Sequence, residues 1–222
     1  MGRKPSDKIR IDNPALREEW VKILAPNYFR QGLKEFSMGN VSAQLELSKA
    51  TLYKHYSTHT EVLEEIIDFR FANIGDFDLE LFNTDIPYEL RYRRAIEVLV
   101  EVLRDISPAF LDDLKHLSPR VWERVTHLQG FVLSRLGAFY DDRATEGALR
   151  RADIHFLAVR DRLFIENAFD ASFLVKNDLT LHAAVANHFY INFQGIFKPA
   201  VAASLSTLHE PSRAIPAERS SR

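Results

Sequence analysis

Hydrophobic positions recur every three or four residues along almost the whole chain, a spacing that predicts helix after helix. The first runs from Pro14 to about Gln31 behind Asn13, an N-cap residue followed by a proline suited to a first helical turn. Pro26 falls inside this segment; lacking an N–H, it predicts a kink there. Met38, Val41 and Leu45 form an inward set behind Ser37, enough for two turns. Ser48 caps another helix, expected to begin at Lys49 and reach about Tyr56, with Leu52 its only large inward aliphatic residue. From Thr60, the residues Val62, Leu63, Ile66, Ile67, Phe69 and Ile74 keep helical spacing to about Leu81. Further amphipathic segments run from about Pro87 to Ile106, Pro108 to His116, Pro119 to Tyr140, Ile154 to Leu174 and Leu179 to Phe197. Pro87, Pro108 and Pro119 stand at helix starts, where a missing N–H does no harm. No useful stretch alternates with the period of a strand, so the expected fold is all-α.

Composition narrows the class. At 222 residues and 46% hydrophobic, the chain is long enough for a sizeable core in one or two domains. It has no cysteine, which excludes a disulfide scaffold and any Cys-bearing zinc finger and is compatible with a cytoplasmic location. The first residues are basic but no apolar run follows, so no signal peptide is expected. The net charge of −2 hides an asymmetry. The first 60 residues hold ten Lys and Arg against six Asp and Glu, while the remainder holds 19 against 25. Positive charge near the N-terminus favours phosphate contacts, and an acidic remainder keeps the rest of the protein off a polyanion.

The positive part contains the segment Ser48 to Tyr56, SKATLYKHY. With Leu52 inward, Lys49, Ala50, Tyr53 and Lys54 face mostly outward as a cationic and aromatic surface with small residues between. Small residues admit a groove floor, Lys and Thr reach base edges or phosphates, and a Tyr hydroxyl donates to phosphate. The same pattern also fits a solvated amphipathic turn. The preceding short helix tips the balance, because two short helices joined by a tight turn near Glu46 and Leu47 make a helix-turn-helix. The candidate DNA contacts are Ser37, Ser48, Lys49, Ala50, Thr51, Tyr53, Lys54, His55, Tyr56 and His59, with Lys49 expected to influence base preference and Tyr53 to hold phosphate. Arg3, on the N-terminal arm, is a candidate for the minor groove; the alternative is a solvated tail.

From about Ile23 to Leu63 the chain resembles the DNA-binding domain of the TetR family of bacterial transcriptional regulators. The string ILAPNYFRQG stands for that family's first helix and closing glycine at Gly32, FSMGNVSAQLEL for the second helix and turn, and SKATLYKHY for the recognition helix. Four positions depart from the pattern. Glu46 stands where the turn usually has Gly, Pro26 interrupts helix one, Phe36 replaces a usual Thr, and His59 replaces a frequent phosphate-binding Lys. A Glu where φ > 0 is required is costly, so a modified turn is expected. It also sets a negative charge near phosphates.

The late helices are unusually apolar. The stretch from Leu179 to Phe197 carries no formal charge, yet His182, Asn187, His188, Asn192 and Gln194 would be costly in lipid, so no membrane span is expected. Burial against a second copy of the chain explains it better, with Phe156, Leu163, Phe189, Tyr190, Phe193 and Phe197 as candidate interface residues; the alternative is a monomer core. The resemblance implies the same, since the family dimerises through its last two long helices. It further implies an effector pocket among the helices of the second part. Candidate lining residues are Tyr92, Ile96, Phe110, Leu114, His116, Trp122, Val125, Phe131 and Phe164, an apolar and aromatic set suited to a similar ligand.

No phosphate-binding glycine loop, nucleophile elbow, zinc-protease or dinucleotide motif is present, so an enzyme is not expected. His55 and His59 have a metal-like spacing without a third ligand nearby, so neither a metal site nor a cofactor is expected. Asp112 with Asp113, and Glu64 with Glu65, read as solvated faces. The expected organisation is a disordered basic arm (1–12), a three-helix DNA-binding domain with a helix-turn-helix (13–58), a helical effector-binding and dimerisation domain (59–198) and a disordered tail (199–222). The expected partners are double-stranded DNA, a second copy of the chain and a small-molecule effector. The runner-up is a helical protein that has lost DNA binding and acts through protein contacts; an all-α enzyme is third.

Overall fold

The computed structural model describes residues 13–142 and 154–196. Within them the fold is all-α, and no strand occurs among the described residues. Arg3 and Phe197, and the arm and tail to which they belong, lie outside the described residues. The first helix, α1 (Pro14–Gln31), is capped by the Asn13 side chain accepting from the Leu16 N–H, and it runs through Pro26, which is exposed. Helix α2 (Met38–Gln44) and the short α3 (Lys49–Leu52) follow. Helix α4 (His59–Phe71) packs back along α1.

The chain then continues through α5 (Ile74–Leu81), α6 (Tyr88–Val102), α7 (Pro108–Leu117) and α8 (Pro119–Asp141). The described remainder comprises α9 (Ile154–Ala168), α10 (Ala171–Lys176) and α11 (Leu181–Ile196). Two expected helices are each divided. The segment from Thr60 to Leu81 breaks at Ala72 and Asn73, where Asn73 occupies the N-cap position of α5. The segment from Ile154 to Leu174 breaks at Phe169 and Asp170. The Asp170 carboxylate accepts from the Phe173 N–H at 3.0 Å and from the Ser172 hydroxyl at 2.6 Å, bonds it cannot make from inside a continuous helix. These bonds also hold the Asp170 carboxyl below its ordinary range.

One continuous core joins the N-terminal helices to the rest. Helix α7 touches α1, α8 and α10, so it is the member that connects them. Where α1 ends, Gly32 takes φ +90° and its N–H bonds to the Tyr28 carbonyl. The next residue, Leu33, donates its buried N–H to the Asp113 carboxylate of α7 at 2.7 Å. A methyl group on Gly32 would lie 2.5 Å from that same carboxylate oxygen, so glycine is required for space as well as for φ. Asp113 is therefore buried and structural, which corrects its reading as a solvated acid; Asp112 is exposed. The Ser107 N–H donates to the Phe29 carbonyl at 2.9 Å, and Phe110 meets Phe29 edge-on at 4.8 Å. Arg70 lies over the Phe29 ring and donates to the Arg104 carbonyl.

Asp113→Ala should lower the free energy of unfolding by about 1–3 kcal/mol, because it leaves the buried Leu33 N–H without a partner. Gly32→Ala should act in the same direction, and urea denaturation followed by circular dichroism checks both. Unchanged midpoints would show that this junction contributes nothing to stability.

Candidate functional site

Residues 37–56 form a helix-turn-helix whose two short helices are both capped by serine. The Ser37 hydroxyl accepts from the Asn40 N–H at 3.2 Å, and the Ser48 hydroxyl accepts from the Thr51 N–H at 3.0 Å. Between them α2 closes in a Schellman motif. The Glu46 N–H donates to the Ala43 carbonyl at 3.1 Å and the Leu47 N–H to the Ser42 carbonyl at 2.8 Å. Glu46 sits at the left-handed position with φ 55°. The expected modified turn is thus absent: the turn keeps its geometry, and the glutamate adopts a conformation that costs an L-residue about 1–2 kcal/mol. Its side chain is exposed beside α3.

Helix α3 is shorter than expected, ending at Leu52, after which the chain keeps turning through bonds from His55 N–H and Tyr56 N–H to the Leu52 carbonyl. Leu52 is fully buried, as its role as the inward anchor requires. The opposite side of the segment presents Ser48, Lys49, Ala50, Tyr53 and Lys54 to solvent, with Thr51 half-buried. His55 and Tyr56 are a correction. Both are buried in the core of the N-terminal helices and cannot touch a duplex. The His55 ring meets Trp20 edge-on at 4.8 Å, and the Tyr56 hydroxyl donates to the Glu65 carboxylate at 2.6 Å. Burial and that carboxylate push the Tyr56 phenol well above its ordinary range, so it stays a donor. Glu65 also pairs with Arg17, and Glu64 with Arg120 and Arg124; neither is the free solvated acid expected. His59 opens α4, exposed, with its ring 6.1 Å from Phe36.

Lys49 lies back over the start of α2. A methyl group on Gly39 would lie 3.2 Å from both Cε and Nζ of Lys49, and 3.6 Å from the Ser37 hydroxyl. Ser37, the α2 N-terminus and the Lys49 ammonium thus converge on one spot, an arrangement suited to a phosphate rather than a base edge.

The nine candidate effector residues do not share a cavity. Leu114 and Val125 are core, and Phe110 is spent on the α1–α7 junction. His116 is exposed, with Nδ1 against the Asp112 carbonyl at 2.8 Å. Phe131 is exposed against Phe77, and Trp122 is half-buried. Phe164 lies parallel to the His188 ring at 3.8 Å. Of the nine, Tyr92 and Ile96 line a groove of about 560 Å³ between α6 and α11. A larger cleft of about 1030 Å³ lies between α1, α4, α5 and α6, lined mainly by charged side chains that include the Arg17–Glu65 and Arg94–Glu80 pairs.

Beside the groove lies a polar centre that sequence periodicity does not reveal. Asp161 of α9 is 1% exposed. It accepts from the Tyr140 hydroxyl at 2.6 Å and from the Asn192 amide at 2.9 Å, and lies 2.9 Å from His188 Nε2 and 3.4 Å from Arg160. Burial, with Asp161 adding to it, raises the Tyr92 and Tyr140 phenols far above their ordinary range. His188 and Asn192 are four apart and so share a face of α11, a signal the sequence does contain.

The candidate interface residues divide in two. Phe189 and Phe193 are buried against α6 and Tyr92, so they belong to the core and not to an exposed face. Phe156 and Leu163 remain 62% and 56% exposed, joined by Val159 on the same helix and by Tyr190 and Ile191 of α11.

No protein-family model matches the chain, and no curated relative does. Solved structures do. A TetR-family regulator from Marinobacter aquaeolei superposes with a TM-score of 0.61 at 16% identity, over 85% of this chain and 96% of its own. A candidate transcriptional regulator from Saccharomonospora viridis, solved with choline, gives 0.58 at 14% identity over 84% and 100%. The ketosteroid transcriptional regulator of Mycobacterium tuberculosis gives 0.52 at 15% over 86% and 99%. The fold is that of the TetR-family transcriptional regulators, and the likeness spans both the helix-turn-helix and the helices after it. No helix among the described residues is long and apolar enough to cross a membrane.

Glu46→Gly should raise stability by about 0.5–1 kcal/mol, the relief of the left-handed strain less the greater chain entropy of glycine. Urea denaturation measures it, and a loss of stability would mean that the Glu46 side chain makes a compensating contact.

Proposed function

We propose that this protein is a dimeric DNA-binding transcriptional regulator, a repressor released from a two-fold operator by a small apolar or aromatic effector. The observation that carries the reading is the exposed face of Lys49, Ala50, Tyr53 and Lys54, held by the buried Leu52 behind a serine-capped α2. The helix-turn-helix part, residues 13–58, reads DNA, and the helical part from residue 59 onward binds the effector and the second copy. Phe156, Val159 and Leu163 of α9 with Tyr190 and Ile191 of α11 supply an apolar face for that copy, which sets two recognition segments on one side of a duplex. Choline in one structural neighbour and the ketosteroid role of another support a body that takes small organic ligands. The effector acts by differential affinity, binding best to a state whose two heads are wrongly spaced. Such a regulator works in the cytoplasm and needs no catalytic group.

Fluorescence anisotropy with DNA from upstream of the protein's own gene, titrated with salt, tests this directly. A saturable, sequence-selective complex is expected. Its absence at low salt would leave the reading in which the protein acts through protein contacts alone. Lys49→Ala should weaken binding to every sequence by a similar factor and reduce the salt slope by about 1, as expected of a phosphate contact. A changed preference between operators would make Lys49 a base reader instead. Tyr53→Phe should likewise weaken all sequences alike.

A further inference from the structure

We infer that the groove between α6 and α11 is the effector site, and that it takes an uncharged, flat aromatic ligand bearing a hydroxyl or carbonyl group. The inference rests on the regulator reading for the word effector, but the groove itself is a matter of geometry. Its wall is formed by Tyr92, Ile96 and Val100 of α6 and by Ala186, Phe189 and Phe193 of α11. The Tyr92 and Phe193 rings, 1% and 8% exposed, lie 6.2 Å apart and within 24° of parallel and form an aromatic floor beneath Ile96, Val100 and Ala186. At about 560 Å³ the groove suits a drug-sized molecule.

Its charges cancel. Arg93 pairs with Glu97 at 2.9 Å within α6, and Arg104, just past its end, pairs with Glu101 at 2.5 Å. Behind the wall, Asp161 is surrounded by Tyr140, Asn192, His188 and Arg160 and presents no unanswered charge to the groove. An ionic ligand gains a counter-ion here only by breaking one of these pairs, which favours neutral molecules. Asn187 and Gln194 at the rim carry amides that both donate and accept, and they give a hydroxyl or carbonyl a partner. Tyr190 lines the groove and also belongs to the exposed face of α9 and α11. A ligand seated there touches the surface on which the second copy would rest.

The test uses the full chain and N-phenyl-naphthylamine, an uncharged diaryl probe that brightens in apolar sites. Saturable binding at one site per chain is expected. Ala186→Trp and, from the opposite wall, Val100→Trp should each fill the groove and weaken the probe about tenfold or more. Phe131→Ser, on the exposed side of α8, should leave the affinity unchanged. Anilinonaphthalene sulfonate, of similar shape but anionic, should bind about tenfold more weakly. No probe binding, or equal binding by both Trp variants and the parent, overturns the site. Equal affinity for the anionic probe overturns the neutral ligand class. The same samples are then titrated with operator DNA. A probe that fills the groove and leaves the DNA complex unchanged supports the site and sinks its role as effector site, whereas loss of DNA binding without the probe sinks the regulator reading alone.

Discussion

The arrangement depends first on one hydrogen bond, from the Leu33 N–H to the buried carboxylate of Asp113. It fixes the end of α1 to α7, and α7 is the helix that touches α1, α8 and α10. The contact is possible only because Gly32 turns the chain with a positive φ and leaves room for the carboxylate. Around it Phe29 is held on three sides, by Phe110, by Arg70 and through its carbonyl by Ser107. A change in the angle of α7 therefore cannot stay local. It bears on α1, which meets the helix-turn-helix through Trp20 against His55 and Tyr28 against Gln44, and through α1 on α4, whose Glu65 accepts from Tyr56.

Much of this was legible in the sequence because caps and periodicity are local. Asn13, Ser37 and Ser48 each cap the helix they were expected to cap, and Leu52 is the inward anchor of its segment. What escaped depends on distant partners. Asp113 looks like its exposed neighbour Asp112 until α1 is brought beside it, and His55 looks like a surface cation until Trp20 covers it. The aromatic residues of the body were expected to line one pocket, yet aromatic character fixes burial and not neighbours. Phe110, Phe131 and Phe164 end in three different contacts. Breaks in helices were hidden where a side chain, Asp170, both continues an amphipathic pattern and caps the next helix.

Glu46 shows how a pattern can be kept while its residue changes. The two bonds of the Schellman motif and the partly buried Leu45 and Leu47 on either side hold the turn in its left-handed form with a glutamate in place. Asp178, at φ 53° after α10, repeats the solution, with the Leu179 N–H reaching the Leu174 carbonyl at 2.9 Å. Both turns accept an acid where glycine is free, at a cost that the surrounding packing offsets.

The polar centre around Asp161 has a further consequence for the apolar face on α9 and α11. Hydrophobic contacts alone let two helices slide or rotate against each other at little cost, whereas a carboxylate bonded at once to Tyr140 of α8 and to His188 and Asn192 of α11 admits one register. The ridge made by Phe156, Leu163, Tyr190 and Ile191 is then a rigid relief with one shape. In the dimer proposed above, such a surface would discriminate, since a chain of the same fold with a different relief would meet it poorly.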